Sequence, residues 1–319
     1  MMTTKHLVDP ELVAILDYIP ATVLSAENLP QVRAMGSRAH VDLPQFSALS
    51  VSERFIPGPE GAPDVRVLIC MPASAQGAIP VLLWLHGGGY VMGSADAEDL
   101  MVKTIVSAVG CAVVSVDYRL APETPYPGSL EDCYAALKWL STHADELGID
   151  ANRIAVGGSS AGGGLSAALA LLTRDRGEFH LMFQFLIAPM IDDRTCTLAQ
   201  PHPYTGEFIW TRDANRFGWT SLLGQEPGGP NVSSYAAAAR AENLEGLPAA
   251  FINVGSIDLF LEEDLDYARR LMRAGVPTEV HVYPGAYHGF RMVTDAQVTQ
   301  AAQRDQLAAL KRAFDTPPR

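Results

Sequence analysis

Apolar positions follow two rhythms along this chain, and the change falls near residue 50. Before it, Leu12, Leu16 and Ile19 recur at helical spacing in segments broken by Pro20 and Pro30. These segments precede any strand signal, so they are expected to lie over a sheet rather than within it. From Val51 the pattern becomes short and β-branched. Runs at 51–57, 65–71 and 81–86 are separated by glycine- and proline-rich breaks and read as strands. The first two are close enough to pair antiparallel.

Beyond them strand and helix patterns alternate. Helices are predicted at 98–109 and 130–143, strands at 112–117 and 153–157, then a helix opening at Ser160 and a strand at 182–188. About fifty residues rich in aromatics and turn formers interrupt the rhythm. It resumes with a strand at 249–254, a helix at 262–274, a strand at 279–283 and a closing helix at 297–314. This alternation predicts an α/β fold, a mostly parallel sheet with helices on both faces. In such sheets a site forms beyond the carboxyl ends of the strands, and the candidate residues all fall there.

The strand at 153–157 breaks into Gly158-Ser159-Ser160-Ala161-Gly162, a G-x-S-x-G pattern centred on Ser160. A turn this sharp needs near-absent side chains on either side, and the following helix aims its free N–H groups at the same spot. Ser159 competes as the nucleophile, but centring the pattern there puts Ala161 where the closing glycine belongs. At the end of the 81–86 strand, His86 is followed by Gly87, Gly88, Gly89 and Tyr90. Three consecutive glycines let main-chain N–H groups face a developing oxyanion; the plain alternative is a flexible turn. His86 itself is read as a brace for that loop.

Downstream, Asp258 follows the 249–254 strand, and His288 follows the 279–283 strand within a glycine- and proline-bounded loop. The order Ser160, Asp258, His288 suits nucleophile, acid and base on an α/β sheet. Asp258 also suits a helix N-cap, and Glu262, Glu263 and Asp264 are nearby substitutes. Activity is expected to rise across the pH range in which a histidine loses its proton.

Charge narrows the partners. With 23 basic and 36 acidic residues the net charge is −13, which argues against nucleic acid or an anionic membrane. No apolar run reaches membrane-spanning length, and the first residues lack a signal-peptide core. Cys70, Cys111, Cys133 and Cys196 are widely spaced, so free thiols in a reducing cytoplasm are expected. No metal or other cofactor is expected, because no His/Cys/Asp cluster has ligand spacing and the glycine-rich loop lacks a Walker lysine.

The chain from about residue 50 onward resembles the hormone-sensitive-lipase-like, bacterial family IV carboxylesterases of the α/β-hydrolase superfamily. The resemblance rests on His86–Gly89, on Asp117-Tyr118-Arg119-Leu120-Ala121-Pro122-Glu123, on the Gly158–Gly163 elbow, and on Tyr283-Pro284-Gly285 leading to His288-Gly289-Phe290. It implies a serine carboxylesterase for short- to medium-chain acyl esters, with Ser160 as nucleophile, Asp258 as acid and His288 as base. It implies oxyanion donors from Gly88, Gly89 and Ala161, with Gly87 shaping the loop. It also implies a helical cap over a core of two parts, 51–189 and 241–319. Residues 1–50 and 190–240 would form that cap, with Tyr90, Ser159, Tyr204, Phe208, Trp210 and Trp219 as candidate substrate contacts. A homodimer through the edge strand near 279–283 is a further implication. Three positions depart from the family pattern: Ser159 stands where Asp or Thr is usual, Leu259 where the acid motif has Pro, and Ala188 where Tyr precedes Pro189. The same triad could serve a lactonase, an amidase or an acyltransferase. A binding module that has lost catalysis is the other class, and the presence of His288 argues against it.

Overall fold

A computed structural model of the chain describes residues 3–19, 23–36 and 43–316. The described part of the first fifty residues is built mainly of 3-10 turns, at Lys5–Leu7, Pro10–Leu12, Ala14–Asp17 and Pro44–Phe46. One short helix, α1 (Leu29–Gly36), stands among them. The expected helices are therefore corrected to turns and a two-turn helix; the break at Pro20 lies outside the described residues, and Pro30 is no break but the second residue of α1, where a missing N–H is tolerated. Proline and Asx chemistry accounts for part of this: Pro10 follows Asp9, whose carboxylate accepts from the Glu11 amide, a geometry that starts a turn without propagating it.

The sheet has eight strands: β1 (Leu49–Ile56), β2 (Val65–Pro72), β3 (Ile79–Leu85), β4 (Ala112–Asp117), β5 (Ile149–Ser159), β6 (Phe183–Ile187), β7 (Ala249–Gly255) and β8 (Thr278–Tyr283). Their spatial order is β1-β2-β4-β3-β5-β6-β7-β8. β1 and β2 pair antiparallel, as the short connection requires, and β2 pairs antiparallel with β4. From β4 to β8 every pairing is parallel. Helices α2 (Asp99–Val109), α3 (Gly128–Thr142), α4 (Ala144–Leu147), α5 (Ala161–Arg176), α6 (Arg212–Leu223), α7 (Leu261–Arg273) and α8 (Gln297–Asp315) complete the architecture. Among the described residues none of these helices is long and apolar enough to cross a membrane.

Central strands that face helices on both sides need apolar residues at every position. β3 meets that demand over Val81, Leu82, Leu83, Trp84 and Leu85, and β6 over Phe183, Phe185, Leu186 and Ile187; the exception, buried Gln184, donates its amide to the Pro248 carbonyl. One face packs on α3 and α5 through Leu83, Val114, Val156, Leu137 and Leu169. The other packs on α2 and α8 through Trp84, Val113, Phe185, Ile105 and Leu310. Parallel strands then deliver β3, β5, β7 and β8 to one edge, where the candidate residues gather.

Candidate active site

The elbow is set by backbone contact. An added Cβ on Gly158 would sit 2.4 Å from the Leu85 carbonyl oxygen, and one on Gly162 would sit 1.9 Å from the same atom. No side chain fits at either position, so β3 and the start of α5 can meet. Between them Ser160 has φ 56° and ψ −120°, a left-handed conformation that L residues other than glycine avoid. Its N–H donates to the Ile187 carbonyl at 2.8 Å, and its carbonyl accepts from the Met190 amide at 2.9 Å. The end of β6 thus holds the strained residue in place.

Three side chains from distant segments converge here. The Ser160 hydroxyl donates to His288 Nε2 at 3.0 Å, and His288 Nδ1 donates to Asp258 Oδ2 at 2.8 Å. Asp258 is 1% exposed, and its other oxygen accepts from the Phe260 amide at 3.0 Å, which fixes the carboxylate at the mouth of α7. Phe260 meets the imidazole edge-on, with ring centroids 5.0 Å apart. The N-cap reading of Asp258 is corrected: Phe260 holds that position in α7, and the second Asp258 oxygen closes an Asx turn just ahead of it. Glu263 and Asp264 lie buried in α7 instead. Glu263 accepts from the Ile191 and Asp192 amides, and burial pushes its carboxyl well up from the ordinary range. Glu262 is exposed on the same helix.

Gly87, Gly88 and Gly89 border a cavity of about 230 Å³ that also takes in Ser160, Asp258 and His288. Gly88 has φ 124°, and an added Cβ there would strike the Met92 carbonyl oxygen at 2.1 Å. Gly89 has φ 59°, and its Cβ would strike Trp210 Cη2 at 2.1 Å. Both positions therefore demand glycine. Ala161 is the first residue of α5 and fully buried. His86 lies beneath the loop: its Nδ1 bonds to the Gly87 carbonyl at 2.8 Å, and its ring stacks on Tyr118 at 4.1 Å. Burial pushes its imidazole pKa below the usual value. Tyr118 in turn donates to the His86 carbonyl, and Arg119 pairs with the buried Asp132.

Of the other sequence candidates, Ser159 and Trp210 border the cavity. Trp210 donates from Nε1 to Asn215 and holds its ring 6.3 Å from the imidazole. Its amide donates to the Phe208 carbonyl at 2.7 Å across Ile209, whose φ of 61° marks a tight, strained turn. That turn presses Ile209 and Trp210 inward. The remaining four candidates lie elsewhere. Tyr90 is buried, donates to the Met190 carbonyl and packs on Trp219, which is itself fully buried. Phe208 packs on Tyr287, and Tyr204 is 52% exposed beside His202. Each is a packing or surface aromatic, because contacts from other segments turned it away from the cavity.

Two charged residues at this site escaped sequence reasoning. Glu98 ends the 3-10 turn before α2, and Arg291 lies three residues past His288; both border the cavity and form an ion pair. Glu98 reads in sequence as an ordinary acid at a helix start and Arg291 as a surface cation. Neither carries a local signal of its distant partner.

Residues 82–292 match the family described as alpha/beta hydrolase fold. Carboxylesterase NlhH of Mycobacterium tuberculosis is 35% identical over 318 residues, covering 96% of this chain and 96% of that protein. Among solved structures, a bacterial heroin esterase superposes with a TM-score of 0.91 at 39% identity, over 98% of this chain and 100% of the other. The esterase LipW from Mycobacterium marinum gives 0.83 at 34% identity, over 98% of each.

Proposed function

Because the chain belongs to the hormone-sensitive-lipase-like branch of the α/β-hydrolase fold and is a carboxylic ester hydrolase, we propose that it cleaves short- to medium-chain acyl esters through an acyl-enzyme on Ser160. The observation that carries this reading is the continuous hydrogen-bonded relay from Ser160 Oγ through His288 to Asp258. Ser160 Oγ attacks the ester carbonyl carbon while His288 Nε2 takes its proton. Asp258 holds the imidazole in the tautomer that can accept there and stabilises the imidazolium. The carbonyl electrons move to oxygen, and the amides of Gly88, Gly89 and Ala161 receive that charge, with Gly87 shaping the loop. Collapse breaks the bond to the alcohol oxygen, which takes the proton from His288. Water, deprotonated by the same imidazole, then attacks the acyl-enzyme and frees the acid.

The cavity's walls favour a modest apolar acyl or alcohol group, since Met92, Ile187, Ile209, Trp210 and Phe290 surround it. Residues 1–50 and 190–240 serve as the cap, in support of which Thr3 and Thr4 both bond to Glu207 in the insertion. The four cysteines are buried and unpaired, which fits the cytoplasm. A second copy docks on β8, the last strand of the sheet.

Replacement of Ser160 by Ala is expected to lower kcat on p-nitrophenyl butyrate by roughly a thousandfold or more, with folding intact. Retention of activity within tenfold overturns the acyl-enzyme reading.

A further inference from the structure

Serine and imidazole reach each other from positions 128 residues apart, and something must hold their two loops in register. Glu98 stands between those loops. Its Oε1 accepts from the Ser159 hydroxyl at 2.7 Å and from Arg291 Nη2; its Oε2 accepts from Trp84 Nε1 at 2.8 Å. Arg291 Nη2 also lies 3.2 Å from Ser159 Oγ, which closes a triangle. Ser159 immediately precedes the nucleophile, Trp84 lies on β3 just before the glycine loop, and Arg291 follows His288 by three residues. The Glu98 side chain is only 7% exposed, so an unpaired charge there would be costly. Burial alone would push its carboxyl up, yet the Arg291 charge and the three hydrogen bonds together hold it below the ordinary carboxylate value.

We infer that Glu98, Arg291 and Ser159 form a polar clamp that ties the serine elbow to the histidine loop and so sets the Ser160–His288 distance. These are positioning residues for the ester chemistry, and the inference rests on the acyl-enzyme reading above. The clamp is formally neutral, Glu98 offsetting Arg291, so it orders the site without adding net charge beside the imidazole. Dismantling it from either end breaks that neutrality in opposite senses. The ionisable groups that share the cavity with His288 are Asp258, Glu98 and Arg291; farther back, Asp264 on α7 lies near Asp258, and His86 beneath the glycine loop lies near Glu98.

The test is a steady-state series on p-nitrophenyl butyrate across pH 5 to 9. Glu98→Gln and Arg291→Met are each expected to lower kcat by roughly tenfold to a hundredfold, with KM changed by about threefold at most. The acid limb of kcat/KM should move to lower pH in Glu98→Gln, where a lone cation disfavours the imidazolium. It should move to higher pH in Arg291→Met, where a lone anion favours it; about half a unit or more is expected in each case. Ser159→Ala should lower kcat by about tenfold with no movement of the acid limb, since the ion pair survives. Arg291→Lys keeps the charge and serves if Arg291→Met fails to fold: its acid limb should stay in place while kcat falls. Glu131→Gln, which opens a surface pair with Arg176, is the control and should match the wild type. Values of kcat within twofold of wild type in Glu98→Gln and Ser159→Ala, or acid limbs moving the same way in Glu98→Gln and Arg291→Met, overturn the clamp. Fluorophosphonate labelling separates the two claims. If the wild type labels at a residue other than Ser160, the acyl-enzyme reading itself fails.

Discussion

At the scale of single residues, the site is held by positions that tolerate one side chain only. Ser160 sits in a backbone region that costs an L residue about 1–2 kcal/mol. Ser160→Gly is therefore expected to be more stable than Ser160→Ala by about 1 kcal/mol, readable as a higher midpoint in denaturant. At Gly89 the obstacle is a neighbour rather than the backbone alone, since Trp210 occupies the space a methyl group would need. Gly89→Ala should lower kcat/KM by roughly a hundredfold. Adding Trp210→Ala should recover part of that loss, and a double variant no better than the single would refute a steric cause. Ser160, Asp258 and His288 were legible in the sequence because glycines and strand ends surround them with local grammar. Glu98 and Arg291 were not, because their meaning lies in a partner 193 residues away. Tyr90 and Trp219 misled for a related reason: aromatic identity says nothing about which way a ring will face.

Among the elements, α7 carries a tension that pH should expose. Asp264 is fully buried; neither carboxyl oxygen has a hydrogen-bond partner among the described residues. Burial, and then the nearby Glu263 and Asp258, push its carboxyl well above the usual range. In the unfolded chain it ionises near pH 3.9. A raised folded value means its contribution is fully present below that pH and is lost as pH rises toward the folded value. Asp264→Asn, which cannot ionise, should thus gain stability relative to the wild type as pH goes from 4 to 7. The slope is at most about 1.4 kcal/mol per pH unit. Paired denaturation curves at pH 4, 5.5 and 7 would measure it, and a constant difference refutes the assignment. All eight strands were readable to within a few residues: the central ones because burial on both faces leaves little but apolar side chains, the more exposed edges β1 and β8 from β-branched residues between turn signals. The N-terminal turns were not, since a 3-10 turn and an α-helix both place apolar residues at i and i+3.

For the whole molecule, the sheet's ends decide what it meets. β8 is the outermost strand beside β7, and Val282 on it is 39% exposed. If a second copy docks there, Val282→Lys should convert dimer to monomer in sedimentation velocity at micromolar concentration, through charge repulsion and lost apolar contact. Identical sedimentation of wild type and variant would exclude that edge. The N-terminal strap is anchored from the far side of the sequence by Glu207. Glu207→Ala should make the first residues a faster target for limited proteolysis while the sheet stays protected.

The separation between nucleophile and base also has a consequence in time. During translation the serine bend emerges 128 residues before the imidazole to which it is hydrogen-bonded. At 5–20 residues per second that gap lasts roughly ten seconds. On the acyl-enzyme reading proposed above, a nascent copy holds its serine without its base for that interval, so that copy gains ester chemistry only after residue 288 has emerged.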